Sequence, residues 1–223
     1  MKTLGIIPAR GGSKSLPWKN IKNLAGKPLI AYSIEAALKS NLDRVIVSTD
    51  ADRIAKVARD YDSEVIMRPP ELARDDIPTL PVLQHVVANL GEKFDCVVTL
   101  QPTSPLRTAK HIDEALELFE SDPEANSLVS IIHVPHNMNP YSIMELKDGY
   151  LTNYIEQDEL LLRRQDKPEF YARNGAAIYI TSILQIHKYV FGGKILPYFM
   201  DALESIDIDT EEDFLLAKQY VNQ

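Results

Sequence analysis

Thr3-Leu4-Gly5-Ile6-Ile7-Pro8, followed at once by Ala9-Arg10-Gly11-Gly12-Ser13-Lys14-Ser15-Leu16-Pro17-Trp18-Lys19-Asn20, decides how this chain is read. The first stretch is a short apolar run suited to a buried strand, and the second is a Gly-rich loop carrying Arg10, Lys14 and Lys19. In open α/β sheets, ligands bind at the carboxyl ends of strands, which is where this loop falls. Paired glycines let backbone N–H groups approach an anion, and the three cations can neutralise several negative charges. The spacing matches neither the Walker A loop nor the GxGxxG dinucleotide fingerprint.

Working outward, apolar runs and amphipathic segments alternate. Leu29, Ile30, Ile34, Ala37 and Leu38 have helical spacing within 28–39, with Pro28 at an N1-like position. Arg44–Thr49 reads as a β-branched strand closed by Asp50, then a helix over 51–61 and a short strand over 64–67. Helix is expected over 81–90, a buried strand over 96–100, helix over 109–119 and strand over 127–134. The pattern predicts an α/β protein: a three-layer Rossmann-like fold with a mostly parallel sheet covered on both faces.

Between Pro135 and Arg173 the alternation breaks. Tyr141–Leu146 and Tyr150–Ile155 flank Asp148-Gly149, a strong hairpin signal. We therefore expect a single domain over 1–223, with 135–173 inserted as a flap or dimerisation arm. Beyond it, strand is expected over 176–181, helix over 182–189 and a last strand over 204–209. Thr210-Glu211-Glu212-Asp213 then opens a C-terminal helix with a capping-box-like pattern.

The net charge of −8 argues against non-specific nucleic-acid binding. Residues 1–27 nevertheless hold six of the 24 basic residues and no acid, leaving 18 basic against all 32 acidic residues elsewhere. Such a pole reads either as an anion site or as a solvated basic terminus. Cys96, the only cysteine, lies in an apolar run and reads as an inert buried residue. No apolar run is long enough to span a bilayer and no signal-peptide layout is visible, so a cytoplasmic location is expected.

Two further segments carry chemistry. In Ile206-Asp207-Ile208-Asp209, strand alternation would put both carboxylates on one face and both isoleucines inward. Adjacent hard carboxylates suit Mg²⁺, which takes few protein ligands and fills its shell with phosphate oxygens and water. The other reading has Asp209 preceding a helix and Asp207 solvated. Leu100-Gln101-Pro102-Thr103-Ser104-Pro105-Leu106-Arg107 ends a strand in a loop stiffened by two prolines, offering Gln101, Thr103 and Ser104 for hydrogen bonding.

Taken in order, ARGGSKSLPWKN, VSTD (Val47–Asp50), RPPELARDD (Arg68–Asp76), LQPTSPLR (Leu100–Arg107), RRQ…NGAAIYI (Arg163–Ile180) and SIDIDTEEDF (Ser205–Phe214) resemble the acylneuraminate cytidylyltransferases, the CMP-sialic acid synthetase family. The resemblance spans nearly the whole chain. It implies a nucleotidyltransferase that joins CTP to a nonulosonic (sialic-like) acid, giving the CMP-sugar and pyrophosphate. Carried over by motif position, Arg10 and Lys14 would bind the β- and γ-phosphates within the Gly12-Ser13 loop. Lys19 would stabilise charge at the α-phosphate, and Asn20 would contact the nucleotide. Asp207 and Asp209 would hold Mg²⁺, for which Mn²⁺ can substitute, and Lys19, Arg10 and Asp209 form the expected catalytic set. Arg68 and Thr79 correspond to the cytosine-reading region, Gln101 to a glutamine near the ribose and acceptor, and Arg164 and Asn174 to the acceptor lining. A homodimer with shared sites is implied, the arm crossing to the second subunit.

One departure bears on the acceptor. Sialic-acid-specific members often carry His-Pro-Leu-Lys in the arm, whereas this chain has Asn139-Pro140-Tyr141-Ser142. Either Arg164 or Arg173 supplies the charge, or the acceptor is a relative such as legionaminic acid. A 3-deoxy-octulosonate acceptor and a non-catalytic nucleotide-binding role are the alternatives. Lys19 and both aspartates being intact count against the latter.

Overall fold

The computed structural model describes residues 1–12, 16–156, 161 and 163–221. In chain order the strands are β1 (Thr3–Pro8), β2 (Asn23–Leu24), β3 (Lys27–Pro28), β4 (Arg44–Thr49), β5 (Glu64–Met67), β6 (Cys96–Thr99), β7 (Ser127–His133), β8 (Met144–Lys147), β9 (Tyr150–Asn153), β10 (Tyr171–Arg173), β11 (Tyr179–Ser182) and β12 (Ile195–Phe199). The α-helices are α1 (Leu29–Leu38), α2 (Asp52–Asp60), α3 (Thr79–Leu90), α4 (Ala109–Ser121) and α5 (Glu211–Tyr220).

The main sheet runs β5-β4-β1-β6-β11-β7, with β10 continuing beside β7 and β12 on the other side of β7. β5, β4, β1 and β6 are parallel, and β11 lies antiparallel between β6 and β7. Side chains leave each strand on alternate faces, so both faces need cover. Ile7, Val45, Val47 and Val98 pack with α1, α2 and α4, while Leu4, Ile6, Ile46 and Val97 pack under α3. The result is the expected three-layer, mostly parallel α/β architecture.

The chain passes from β1 through α1 to β4 on one side of β1, then from α3 to β6 on the other. The strand order therefore reverses at β1, and a crevice opens between the carboxyl ends of β1 and β6. A third cluster lies beside it. Leu16, Leu24 and Leu29 meet Ile208, Phe214 and Ala217, so α5 is packed onto the segment that follows β1. Its Thr210–Asp213 capping box is present, Thr210 Oγ1 accepting from Asp213 N while Asp213 accepts from Thr210 N.

Several expected boundaries differ. Pro28 belongs to β3 and caps α1 without entering it, and α3 begins at Thr79. The helix expected over 182–189 is absent: Ser182 ends β11 and residues 183–188 form successive turns. They are tied to neighbours by bonds from Ile183 N to Asp95 O and from Gln84 Nε2 to Ile186 O. Residues 204–209 form no strand either: the alternating pattern finds no partner, and Ile208 N bonds only across to Thr103 O.

After His133 the chain leaves the sheet, returning at Tyr171. Asp148 (φ 52°) and Gly149 (φ 84°) make the tight turn of the β8–β9 hairpin, as expected for Asp-Gly. Every residue of its two strands is exposed. Among the described residues, no helix is long and apolar enough to cross a membrane.

Candidate active site

The loop after β1 is bolted down by three hydrogen bonds. Ala9 N donates to Ser48 O (2.9 Å), Asn20 Nδ2 to Arg10 O (2.9 Å) and Gly11 N to Asp50 Oδ1 (3.0 Å). A Cβ on Gly11 would lie 2.8 Å from the Ala51 Cβ, so close packing demands glycine there. Gly12 is exposed with open space around it. Ser13 and Lys14 lie outside the described residues. Beyond them Trp18 turns through the left-handed region (φ 56°) and starts the short helix that carries Lys19 and Asn20.

Lys19 reaches across 189 residues of sequence. Its ammonium donates to Ile208 O at 2.7 Å and to Asp209 Oδ1 at 3.1 Å, with the side chain only 12% exposed. The Leu16–Ile208 cluster holds the two segments in register for this contact. Asp207 and Asp209 both face the same cleft, although not through strand alternation. Asp209 is exposed, whereas Asp207 is half-buried and its Oδ1 has no hydrogen-bond partner among the described residues. Burial, and secondarily the charge of Asp209, push the Asp207 carboxyl up to about 6, against the opposing pull of Thr103 and Lys19.

A buried carboxylate oxygen left without a donor is an expensive arrangement unless a cation completes it. The donor set fits Mg²⁺: two hard carboxylates on one wall, with space beyond for phosphate oxygens and water. Among the described residues no group of three or more His, Cys, Asp or Glu forms a self-sufficient metal cage.

The cleft has a volume of about 530 Å³ and lies at the sheet's switch point. It brings together Arg10, Lys19, Asn20, Arg68, Thr79, Gln101, Asp207 and Asp209 of the expected set. Arg10 pairs with Asp75 (2.7 Å) in the loop that follows β5. Arg68 is buried, donating to Ser48 O at 2.7 Å. Burial draws its guanidinium down to about 10, so it stays charged at neutral pH, helped by Asp50 and opposed by Arg10.

Two expected acceptor residues are placed elsewhere. Asn174 is 4% exposed and sits behind the wall, in a buried network where Ser130 Oγ donates to its Oδ1 (2.5 Å) and its Nδ2 donates to Ser205 Oγ (2.8 Å). That network pins a bulge of residues 174–178 opposite Ser130. The bulge backs Gly175 (φ 70°) onto the acidic pair: a Cβ there would fall 2.1 Å from Asp207 Oδ2. Arg164 lies in a separate 430 Å³ pocket of the 134–170 excursion, with His133, His136 and Lys167.

Two contributors escaped the sequence reading, Gly175 and Arg107. Gly175 lines the cleft beside Asp207 together with Thr103, which was read only as a hydrogen-bonding residue of its loop, and Arg107 braces the wall through backbone carbonyls. Arg107 is 2% exposed, and its guanidinium donates to Gln101 O (3.1 Å), Ala177 O (2.6 Å) and Ser33 Oγ (2.5 Å). Burial draws it down to about 9. The signal available was the motif LQPTSPLR itself, which ends on this arginine.

A cation-lined cleft with an acidic pair, set at the switch point of a Rossmann-like sheet, is the layout of a nucleotide-binding α/β protein. The comparisons with known proteins narrow this. The cytidylyltransferase family model matches residues 4–222, and the chain belongs to that family. It is 36% identical to an N-acylneuraminate cytidylyltransferase of Escherichia coli O18:K1:H7 across 97% of this chain, but spans only 51% of that relative. The chain thus has about half the length of the curated relatives it first matches. A CMP-N,N'-diacetyllegionaminic acid synthase of Legionella pneumophila is 37% identical, covering 98% of this chain and 96% of its own length. Among solved structures, CMP:2-keto-3-deoxy-manno-octonic acid synthetase complexed with CTP superposes with a TM-score of 0.75 at 18% identity, over 100% of this chain and 99% of the other. That likeness supports the fold.

Proposed function

We propose that this chain is a metal-dependent cytidylyltransferase that activates a nonulosonic, sialic-like acid with CTP. The observation that carries the reading is the convergence of Lys19 on Asp207 and Asp209 within a cleft that also holds Arg10, Arg68 and Gln101. The acceptor's anomeric hydroxyl oxygen attacks the α-phosphorus and gives up its proton to solvent water. The bond from that phosphorus to the bridging oxygen breaks, and pyrophosphate departs.

The protein's share is charge neutralisation and alignment. Lys19 would place its ammonium at the α-phosphate, and Arg10 with Lys14 would hold the β- and γ-phosphates. Arg68 and Thr79 would face the base, with Asn20 and Gln101 beside the ribose. Mg²⁺, or Mn²⁺ in its place, would sit on Asp207 and Asp209 and supply electrophilic stabilisation of phosphate charge. Asn174 would position Gly175 and Asp207 from behind. We infer a homodimer joined through the 135–173 arm, in which the pocket containing Arg164 would lie beside an acceptor in a shared site. Location in the cytoplasm follows from the small nucleotide substrate.

The legionaminic acid synthase of matching length, together with Asn139-Pro140-Tyr141-Ser142 in the arm, favours a legionaminate-type acceptor. Pyrophosphate release from CTP, measured with legionaminate, N-acetylneuraminate and 3-deoxy-octulosonate with and without Mg²⁺, tests the proposal. Release is expected only with metal and most rapidly with legionaminate. No release with any 2-ulosonic acid would remove the reading, and preference for N-acetylneuraminate would remove the acceptor assignment. Asp209→Ala should abolish the response to added metal.

A further inference from the structure

Asp50, which closes β4, lies beside the cationic cleft yet has no place in the chemistry above. A carboxylate near a phosphate site repels its ligand, so its presence needs a compensating role. The geometry supplies one. Asp50 Oδ1 accepts the Gly11 amide at 3.0 Å, which commits that N–H to a protein carboxylate. Gly11 is packed against Ala51 at the same point, so residues 50 and 51 together form the seat of the loop. Of the three bonds that fix residues 9–11, this is the one made by a side chain from a different strand. It fixes the Gly11 peptide, from which the chain continues to Gly12. The same carboxylate favours the charged form of the buried Arg68.

We propose that Asp50 is a positioning residue. It orients the start of the triphosphate-binding loop through the Gly11 amide. The proposal rests on reading the cleft as a CTP site. Loss of an acceptor for one amide, with a carboxylate on the accepting side, should cost the loop about tenfold or more in phosphate affinity.

Calorimetric titration of CTP, CMP and inorganic tripolyphosphate into the wild type, Asp50→Ala and Asp50→Asn tests it, with thermal melts alongside. Asp50→Ala should weaken CTP and tripolyphosphate roughly tenfold or more and CMP less than about threefold. Asp50→Asn keeps an acceptor for Gly11 and should stay within about threefold of wild type for all ligands. The role is overturned if Asp50→Ala binds the triphosphates as well as wild type or better. Equal loss of CMP and CTP, or equal weakness of the Asn and Ala variants, also overturns it. If Asp50→Ala does not fold, Asp50→Ser, too short to reach Gly11, gives the same comparison. Wild-type binding of tripolyphosphate without CTP would sink the CTP reading and leave the Asp50 test running. Wild-type binding of neither would sink both.

Discussion

The cleft after β1 and the excursion over 134–170 differ in how their side chains are held. In the cleft, each functional group is anchored from behind: Gly11 by Asp50, Arg10 by Asn20, Asp207 by Thr103, the bulge by Asn174 and Arg107. On the described residues of the hairpin the side-chain contacts are between exposed groups, such as Lys147 with Glu145. Leu146 and Leu151 pair across the strands on the face they share with Met144, and Leu146 is 70% exposed. A site built from charges that repel one another needs a scaffold within its own chain. An apolar hairpin face left uncovered is instead completed by something outside it.

The largest expected effect comes from removing the cation that bridges the cleft. Lys19→Ala should lower pyrophosphate release by about 10²–10³-fold, the scale of losing one group that stabilises transition-state charge. Its melting temperature should fall by only a few degrees, because the variant loses one bond to the exposed Asp209 and one to the Ile208 carbonyl while the Leu16–Ile208 cluster remains. A wild-type rate would detach Lys19 from the chemistry.

Next in size is the steric test of the scaffold. In Gly175→Ala the new methyl collides with Asp207, and the positive φ adds strain. Turnover should fall roughly 10–100-fold, with a raised Mg²⁺ requirement, since a small misplacement of the acidic pair is costly. Unchanged metal dependence would show that Asp207 tolerates displacement.

The opposite region should respond in assembly. Leu146→Lys with Leu151→Lys places two like charges at directly paired positions on the apolar face. Light scattering should show the dimeric mass of wild type halved in the variant, while the α/β body melts within a few degrees of wild type. A dimeric variant, or a monomeric wild type, would remove the arm from assembly.

Legibility in the sequence follows the same divide. From β1 to β7, buried strands and amphipathic helices are dense in local signal, and most of them lie within a few residues of where the pattern puts them. Lys19 and the two aspartates were readable as residue types, and their meeting follows from the topology. What was not readable depends on tertiary context. Ile206-Asp207-Ile208-Asp209 alternates like a strand, but Ile208 is buried, and Ile206 partly buried, against α5 and the loop after β1, with no adjacent strand to pair among the described residues. β12 carries Pro197 in mid-run, which breaks the strand signal and is tolerated because β12 lies at an edge. Arg107 and Asp50 act through backbone groups distant in sequence, and no spacing rule exposes such bonds.

The smallest effect is one of stability, and it separates function from fold within the cleft itself. The folded chain holds the Asp207 proton up to about pH 6, whereas an unfolded aspartate releases it near its ordinary value of 3.8. Between those values the folded state binds more protons, so stability falls as pH rises and the penalty is complete above about 6. Asp207→Asn removes the buried charge and its repulsion by Asp209. At pH 7.5 and without metal it should gain about 1–2 kcal/mol after allowance for partial exposure, or roughly 3–6 °C. The gain should vanish only below about pH 3, where the wild-type carboxyl is protonated in both states. Metal-dependent activity should be lost in the same variant. Melting curves across this range that show no gain, or a gain independent of pH, would mean that Asp207 is already compensated by its neighbours. A more stable but inactive variant would show that the cleft carries an uncompensated charge retained for its ligand.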